Sequence, residues 1–454
     1  MLIGAAWLLL ACGEGAPEPG TAEAFAERPT NVLVLVLDDV GTDQLSCYAE
    51  HPEAPATPQL DRLADWGVRF TNAYSAPVCS PARAALLTGR SGRRTGVGDI
   101  VSPTGRFAVA DAERFLPERL PPEWSTLAAG KWHLAGTAAP DWASHALRQG
   151  FSAQRGTPGN LGDRYGDSDG RLGYTRWEQL DDGELTVSEG YATTRTVDDT
   201  LAWVEGASEP WLAVVSFHAA HGPYEPPPDS LLDGAGVDAD APVPERYAAI
   251  VRAMDAEIGR LVDALPAEVL QRTMIVALGD NGTPGEAVLP PWDGTAAKGT
   301  LLEGGVGVPL IIAGAGVSQP GRTSDALAHV LDILPTVLEG VGEELPDDLD
   351  GVSLVPVLAD PAAAPRDVVI SEMFGPNGRP PYAAEGFAVR DARYKLYELR
   401  LPGEPVDTRL FDLRGRTDDG PDLLDGPLDA EAEAALERLR AELEAWRAIP
   451  FEGG

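Results

Sequence analysis

The stretch NVLVLVLDD, residues 31–39, joins a continuous apolar run to two adjacent acids. A run of this length, rich in β-branched residues, is typical of a strand buried on both faces of a parallel sheet. Two later runs have the same character, WLAVVSF at 211–217 and TMIVAL at 273–278, and a weaker one lies at 125–129. The pattern therefore predicts four buried strands.

Helical patterns lie between these strands. They cover residues 191–204 and 247–265, and the second carries apolar side chains at three- and four-residue spacing. Strand and helix alternating along a chain indicate an α/β fold. We predict a large, doubly wound, mostly parallel sheet with flanking helices.

Polar residues follow each predicted strand. They are Asp38 and Asp39, Lys131 and His133, His218, and Asp280 with Asn281. Open α/β sheets bind their ligands at the carboxyl ends of the strands. A single Asp after a strand is usually a turn or helix-cap residue. Polar residues after all four predicted strands of one sheet favour a shared site.

The oxygen-bearing members of this group indicate a metal site. Asp38, Asp39, Asp280 and Asn281 offer carboxylate and amide oxygens from two strand ends, a set that suits Ca²⁺ or Mg²⁺. The sequence has no cluster of Cys and His, which argues against zinc.

A candidate nucleophile lies in the run NAYSAPVCSPARAALLTGR, residues 72–90. Pro81 fits the first position of a helix, which places Cys79 at a helix N-terminus, where backbone N–H groups favour an anion. Arg83, about one turn later, adds a planar two-pronged donor. A Cys beside an anion site is a candidate nucleophile, although residues 79–83 alone favour a buried structural Cys before a helix.

The run from Cys79 to Arg90 resembles the signature of the type I, formylglycine-dependent sulfatases of the alkaline phosphatase superfamily. Other segments resemble the family in its own order, over nearly the whole chain after residue 28. These are TPQLDRLADWGVRF from Thr57, GKWHLAG from Gly130, GDNG from Gly279, KGTLLEGGVGVP from Lys298 and LDGVSL from Leu349.

The resemblance implies a modified cysteine and a bound cation. A formylglycine-generating enzyme would convert Cys79 to Cα-formylglycine during maturation. The modified residue would then join Asp38, Asp39, Asp280 and Asn281 as a ligand of a divalent cation. The family usually holds calcium, and the oxygen set leaves magnesium open.

The resemblance also implies roles for basic residues. Lys131 and Lys298 match the cations that grip the sulfate, and His133 and His221 match positions of proton transfer and sulfate contact. Arg83 would add to the positive charge that offsets the sulfate oxygens. His218 competes with His221, because Ala220 precedes His221 where the family often has Pro; the Gly-Pro-Tyr that follows favours His221. Gly307 replaces the Arg that the family commonly has before Val-Pro.

These roles imply hydrolysis of a sulfate ester, on a sulfated small molecule or glycan, with release of sulfate and an alcohol. Formylglycine, hydrated to a geminal diol, would attack sulfur through one hydroxyl. His221 or Lys298 would protonate the departing alcohol, and His133 would take the proton of the second hydroxyl as sulfate leaves. The alternatives are a phosphonate monoester or phosphodiester hydrolase with the same site, and a catalytically silent binding protein.

Charge limits the partners. The chain has 454 residues, 44% of them hydrophobic, and a formal net charge of -36. Such a surface excludes nucleic acid as a partner, because it repels phosphate backbones. It also repels an anionic substrate, so any anion site has to be positive locally.

The chain ends carry further predictions. Residues 1–12 end in Leu9-Leu10-Ala11-Cys12, which resembles a lipoprotein cleavage site, and predict a signal segment. We expect an exported protein, periplasmic, secreted or held in the outer membrane, whose only membrane contact is a lipid at Cys12. Residues 13–28, rich in Gly, Pro, Ala and Glu, predict a flexible tether.

Two domains follow the tether. Residues 29–360 are predicted as the catalytic domain, in which residues 150–190 form loops near the site. Residues 361–454 are predicted as a C-terminal subdomain, with a small antiparallel sheet and a closing helix at 429–447.

Overall fold

The structure is a computed structural model that describes residues 28–166 and 168–453. The predicted signal segment, Cys12 and nearly all of the predicted tether lie outside the described residues. None of the helices within the described ranges is both long enough and apolar enough to cross a bilayer.

Sixteen strands are numbered in chain order. They are β1 (Asn31–Leu37), β2 (Gly67–Phe70), β3 (Ala73–Tyr74), β4 (Ser125–Lys131), β5 (Ala153–Thr157), β6 (Arg176–Asp181), β7 (Glu184–Glu189), β8 (Trp211–Ser216), β9 (Thr273–Gly279), β10 (Leu310–Gly314), β11 (Arg322–Ser324), β12 (Ala328–His329), β13 (Val369–Gly375), β14 (Ala384–Arg390), β15 (Tyr394–Arg400) and β16 (Asp407–Asp412).

The α-helices are numbered in the same way. They are α1 (Pro58–Asp65), α2 (Cys79–Thr88), α3 (Gly92–Thr95), α4 (Leu116–Arg119), α5 (His145–Arg148), α6 (Ala192–Gly206), α7 (Val243–Asp263), α8 (Ala267–Leu270), α9 (Glu303–Val306), α10 (Ile333–Val341), α11 (Val355–Ala359) and α12 (Ala430–Arg447).

A ten-stranded sheet organises the larger part of the chain, in the order β11-β2-β10-β9-β1-β8-β4-β5-β6-β7. Its five central strands, β9 to β5, are parallel. Antiparallel pairs, β10 with β9 and β6 with β5, extend the sheet on both sides, and β11 at one edge is parallel to β2. Leu37 of β1 lies beside Gly279 of β9, and Ser216 of β8 lies beside both Val36 and Gly130. This register brings the carboxyl ends of four strands to one edge and confirms the predicted fold class.

Strand β1 explains why helices cover both faces. Its leucines, with α6 and α7, form one apolar core, and its valines, with α2 and α10, form the other. Successive side chains of a strand point to opposite faces, so the alternation of Val and Leu supplies both cores. Burying each such side chain stabilises the fold by roughly 1.5–3 kcal/mol.

The C-terminal part is a four-stranded antiparallel sheet, β13 to β16, with α12 packed on one face. Its other face packs on the larger part of the chain, where Leu301 and Tyr74 meet Ala388 and Tyr397. The small sheet thus lies directly behind the segment that carries Lys298.

Two local expectations were wrong. Residues 150–190 are not only loops, because they contain β5, β6 and β7. Helix α2 begins at Cys79 rather than at Pro81. Proline is tolerated at its third position because the first four N–H groups of a helix have no intrahelical partner.

Candidate active site

Three carboxylates converge at the carboxyl edge of the sheet. Asp38 and Asp39 follow β1, and Asp280 follows β9, so the pairing of these strands sets the carboxylates side by side. The backbone N–H of Asp39 donates to Oδ1 of Asp280 at 3.0 Å. One ligand atom from each of these acids and from Cys79 lies within 4.8 Å of all the others, and all four residues are buried.

Cys79 faces this group from the first residue of α2. Its Sγ lies 3.5 Å from Oδ1 of Asp38 and 3.8 Å from Oδ1 of Asp39. Val78 before it is extended, and Gly89 ends the helix in a left-handed conformation. All ten residues of α2 are buried, so the helix holds Cys79 rigidly against the sheet edge.

Two lysines approach Cys79 from different elements. Nζ of Lys131, at the end of β4, lies 2.9 and 2.7 Å from the oxygens of Asp38 and 3.4 Å from the sulfur. Nζ of Lys298 lies 2.5 Å from Oδ1 of Asp39 and 3.7 Å from the sulfur. The site therefore has positive charge directly beside its candidate nucleophile.

Arg83 lies beneath this group rather than on its open side. Its Nε and Nη2 donate to Oδ2 of Asp280 at 3.1 and 2.8 Å, and Nη1 donates to the Lys131 carbonyl at 2.9 Å. The side chain is 3% exposed. In this position Arg83 orients Asp280 and the end of β4, whereas the sequence suggested direct contact with the anion.

The histidines differ in their surroundings. His133 is buried, its φ is +61°, and neither ring nitrogen has a hydrogen-bond partner among the described residues. His218 is buried with Nε2 2.7 Å from Oγ1 of Thr157. His221 is a quarter exposed, with Nε2 3.9 Å from Oδ2 of Asp39. Of the two competitors, His221 is the one that reaches the open side.

Burial and charge shift the pKa values of the acids in opposite directions. Burial acts to raise the pKa of Asp38, but the charges of Lys131 and Arg83 outweigh it and hold that pKa well below its usual range. Burial and the neighbouring Asp38 raise the pKa of Asp280 to about 6, even though Arg83 opposes them. Burial, opposed by Lys131, raises the pKa of the Cys79 thiol.

The same forces act on the imidazoles. Burial and the charge of Lys131 hold the pKa of His133 well below its usual value. Burial, again with Lys131, lowers the pKa of His221. Nδ1 of His221 lies 2.7 Å from the Gly222 carbonyl, which can only accept, so Nδ1 carries the proton of the neutral ring.

The residues fit a divalent cation. Three carboxylates meet in a buried space and the amide of Asn281 contacts one of them, so the residues can supply the oxygen ligands of a hard cation. Nδ2 of Asn281 donates to Oδ1 of Asp39 at 2.9 Å, whereas its buried Oδ1 has no hydrogen-bond partner within the described residues. In this orientation the amide nitrogen faces Asp39, and a half-turn of the amide would direct the unpartnered oxygen to the carboxylates, where a cation would use it.

An open cleft of about 330 Å³ leads to this group. Asp39, His221 and Lys298 line its inner end, and Tyr224 and Glu286 line its outer part. A nucleophile position flanked by lysines, at the carboxyl edge of a doubly wound sheet and below such a cleft, is the arrangement expected of a hydrolase of anionic esters.

Comparison with known proteins identifies the family. The sulfatase family model matches residues 30–343, and a second model, N-sulphoglucosamine sulphohydrolase, C-terminal, matches residues 294–448. The chain is 30% identical over 379 residues to the dog N-acetylgalactosamine-6-sulfatase, covering 75% of this chain and 68% of that protein. It is 30% identical over 412 residues to human arylsulfatase A, covering 84% and 77%.

Solved structures share the fold. The crystal structure of Ps i-CgsB matches with a TM-score of 0.77 at 23% identity, over 93% of this chain and 95% of that one. The structure of BT4656 in complex with its substrate, D-glucosamine-2-N,6-O-disulfate, matches with a TM-score of 0.71 at 21% identity, over 92% and 97%.

This chain belongs to the sulfatase family, and it is a sulfuric ester hydrolase. The predicted resemblance is confirmed. The comparisons do not favour the phosphonate or phosphodiester hydrolase, nor the silent binding protein.

Sequence reasoning missed several residues of the site. The hydroxyl of Tyr174 donates to the carbonyls of His218 and His221, at 2.8 Å each, and holds their turn. The hydroxyl of Tyr247 donates to the Asp39 carbonyl at 2.7 Å. No motif marks these tyrosines, whereas Tyr224 stood in the Gly-Pro-Tyr run beside His221 and could have been included.

Proposed function

We propose that the chain hydrolyses the sulfate ester of a sugar, with formylglycine formed from Cys79 as its nucleophile and a bound divalent cation. The observation that carries the proposal is the position of Cys79. It is the first residue of a buried helix, and its sulfur lies within 4 Å of two carboxylates and two ammonium groups. A hydrated aldehyde there would supply one hydroxyl for attack on sulfur and a second for release of sulfate.

The cation would be held by Asp38, Asp39, Asp280 and Asn281, with the modified residue at 79 beside them. When bound, it would supply positive charge that offsets the charge of the sulfate oxygens. Calcium is the ion we propose, on the resemblance to the family; the oxygen ligands themselves suit calcium and magnesium alike.

The two lysines and Arg83 would have different electrostatic roles. Lys131 and Lys298 would bind the sulfate oxygens, because both ammonium groups lie within hydrogen-bonding reach of the position that attacks sulfur. Arg83 would hold Asp280 in place through its two-pronged contact. Charges fixed before the reaction stabilise a transition state without reorganising.

Three proton transfers remain. Neutral His221, one ring nitrogen of which lies within 4.8 Å of the Cys79 sulfur, carries its proton on Nδ1, so its Nε2 would accept the proton that the attacking hydroxyl loses. Lys298 is the group at the cleft with protons to donate to the departing alcohol. His133, with both ring nitrogens unpartnered among the described residues, would take the proton of the second hydroxyl. Burial and the charge of Lys131 lower the pKa of His133, so its ring is neutral before it takes this proton.

A sugar is the proposed alcohol. BT4656 has a sulfated glucosamine as its substrate, and Ps i-CgsB has been seen in complex with a neocarrahexaose. An open cleft with a tyrosine in its wall suits a sugar ring, because aromatic faces pack on the C–H face of a sugar.

Export and maturation complete the proposal. We propose that residues 1–12 direct export, that Cys12 is lipidated, and that a formylglycine-generating enzyme modifies Cys79 before folding buries it. Fractionation of the native host tests export: activity in the cytoplasmic fraction alone would contradict it.

The test is a sulfate-release assay on protein made in a host that modifies this motif. Wild type should release sulfate from 4-nitrophenyl sulfate, Cys79→Ala should release none, and chelator followed by added calcium should abolish and restore the rate. Mass spectrometry of the tryptic peptide should find an aldehyde in place of the thiol. A fully active Cys79→Ala variant, or an active wild type with an intact thiol, would contradict the proposal.

A further inference from the structure

The outer half of the cleft is not used by the chemistry described above. Asp39, His221 and Lys298 form its inner end, where the sulfate has to lie. The alcohol half of the ester must therefore extend into the outer half, between Tyr224 and Glu286. These two residues come from different parts of the chain, after β8 and after β9, and meet only in the fold.

Glu286 is exposed, and one of its oxygens, Oε1, accepts a hydrogen bond from the hydroxyl of Tyr224 at 2.9 Å. Among the residues that the structure describes, no Lys or Arg forms an ion pair with it. Arg246, which contacts the backbone of Tyr224, donates to the carbonyls of Tyr224 and Ala241, both at 2.9 Å. Lys298 is engaged by Asp39.

An unpaired carboxylate is unfavourable at the entrance of a site for anionic esters, because like charges repel. It becomes favourable when the alcohol half of the substrate carries hydrogen-bond donors or positive charge. It stays unfavourable for any substrate with a second anionic group next to the sulfate. The net charge of -36 adds to that repulsion.

Tyr224 supplies the second element of recognition. Its ring is half-buried and packs edge-on against Tyr247, with ring centroids 6.0 Å apart. The hydrogen bond to Glu286 fixes the hydroxyl end of the same ring. A ring held at both ends offers a rigid apolar face at little entropic cost.

We infer that Tyr224 and Glu286 select the alcohol half of the ester, favouring a singly sulfated sugar or amino sugar over uronic acids and multiply sulfated units. The inference rests on the proposed function, since it assigns the alcohol half to this cleft. Tyr224 packs on the ring, and Glu286 accepts from a hydroxyl or an ammonium group. Both are specificity-determining residues and take no part in bond cleavage.

A matched series of phenyl sulfates tests the inference. The esters carry aminomethyl, hydroxymethyl or carboxymethyl groups at the para position, so that charge changes while the reacting bond is nearly constant. For wild type, kcat/KM should fall in that order, by about threefold per step, the size of an exposed charge interaction. The total ratio of about tenfold should shrink in high salt.

Two substitutions separate the inference from a general charge effect. Glu286→Gln should bring the three rates closer together, leaving only the smaller effect of the net charge, and Glu286→Lys should reverse their order. Glu268→Gln, which removes an exposed charge in α8 away from the cleft, should leave the wild-type order unchanged.

The outcomes are distinct. An order that is the same in wild type and in Glu286→Lys overturns the inference while leaving sulfate-ester hydrolysis intact. No sulfate release from any ester, 4-nitrophenyl sulfate included, contradicts the proposed function itself, and the inference falls with it.

Discussion

Replacing Lys395 with Met should destabilise the protein strongly, although this residue is remote from the cleft. Lys395 lies in β15 and is fully buried. Its Nζ is 2.9 Å from Oε1 of Glu303 and 2.6 Å from Oδ1 of Asp419. Glu303 also accepts from the Tyr74 hydroxyl at 2.8 Å, and Asp419 accepts from the Glu303 N–H at 2.8 Å.

The magnitude follows from what the substitution leaves behind. Methionine fills a similar volume, so the loss is mainly electrostatic: two carboxylates stay buried without their shared cation. Breaking a buried ion pair in this way costs about 3–5 kcal/mol. Glu303 begins α9, just after Lys298, so the variant should also lower kcat by displacing the segment that carries this lysine.

Urea unfolding followed by tryptophan fluorescence measures the change in the free energy of unfolding. The matched control is Arg409→Met in the neighbouring strand, which breaks the surface pair with Asp407 and should cost less than about 1 kcal/mol. Adding Asp419→Asn to Lys395→Met should recover part of the loss, because Asp419 has no other ion pair among the described residues, whereas Glu303 also pairs with Arg390. Equal losses for Lys395→Met and Arg409→Met would refute the reasoning.

Three further predictions concern stability. Burial raises the pKa of Glu372 from 4.5 to about 7. The contribution of Glu372 to stability is therefore complete below pH 4.5 and is lost as the pH rises through 7. Urea titrations should show that wild type loses about 3 kcal/mol of unfolding free energy across that window relative to Glu372→Gln. Gly156→Ala places a Cβ 1.9 Å from the Gly130 carbonyl and should cost at least about 2 kcal/mol by thermal shift, whereas Gly206→Ala, with open space around it, should not. Leu439→Ala, in the core of the C-terminal sheet, should cost about 2–5 kcal/mol in the same assay, and a loss below about 1 kcal/mol would contradict that packing.

The central strands were predictable because they are buried on both faces. β1 spans the predicted residues 31–37, and β8 and β9 each differ from prediction by one residue at one end. A strand with helices on both sides has to be apolar throughout, and that pattern is legible in any sequence. Because these strands are parallel and in register, the polar residues that follow them lie at the same edge of the sheet.

The edge strands were not predictable from composition. β6 and β7 lie in a stretch rich in Gly and Asp, and β7 is mostly exposed, so neither shows an apolar run. One signal was available: Asp182 and Gly183, both with positive φ, form the two-residue turn between the strands. Asp-Gly is a common hairpin turn.

The roles within the site were only partly legible. Residue types predicted that basic side chains line the site. The inward position of Arg83, however, depends on how α2 packs against the ends of β4 and β9, and no local sequence pattern encodes that packing. The contact that distinguishes His218 from His221 is made by Thr157, a residue of another strand. The orientation of each side chain in the site depends on contacts between distant segments, and these contacts cannot be predicted from sequence spacing.

The central claim is that position 79 attacks sulfur and that sulfate then leaves by way of a second hydroxyl. The most direct measurement is the intact mass of a Cys79→Ser variant after incubation with 4-nitrophenyl sulfate. Serine offers one hydroxyl, so the variant should gain a single SO₃ group, located by peptide mapping at position 79, and then stop turning over. Continued turnover at the wild-type rate, or release of 4-nitrophenol without any added mass, would contradict the claim.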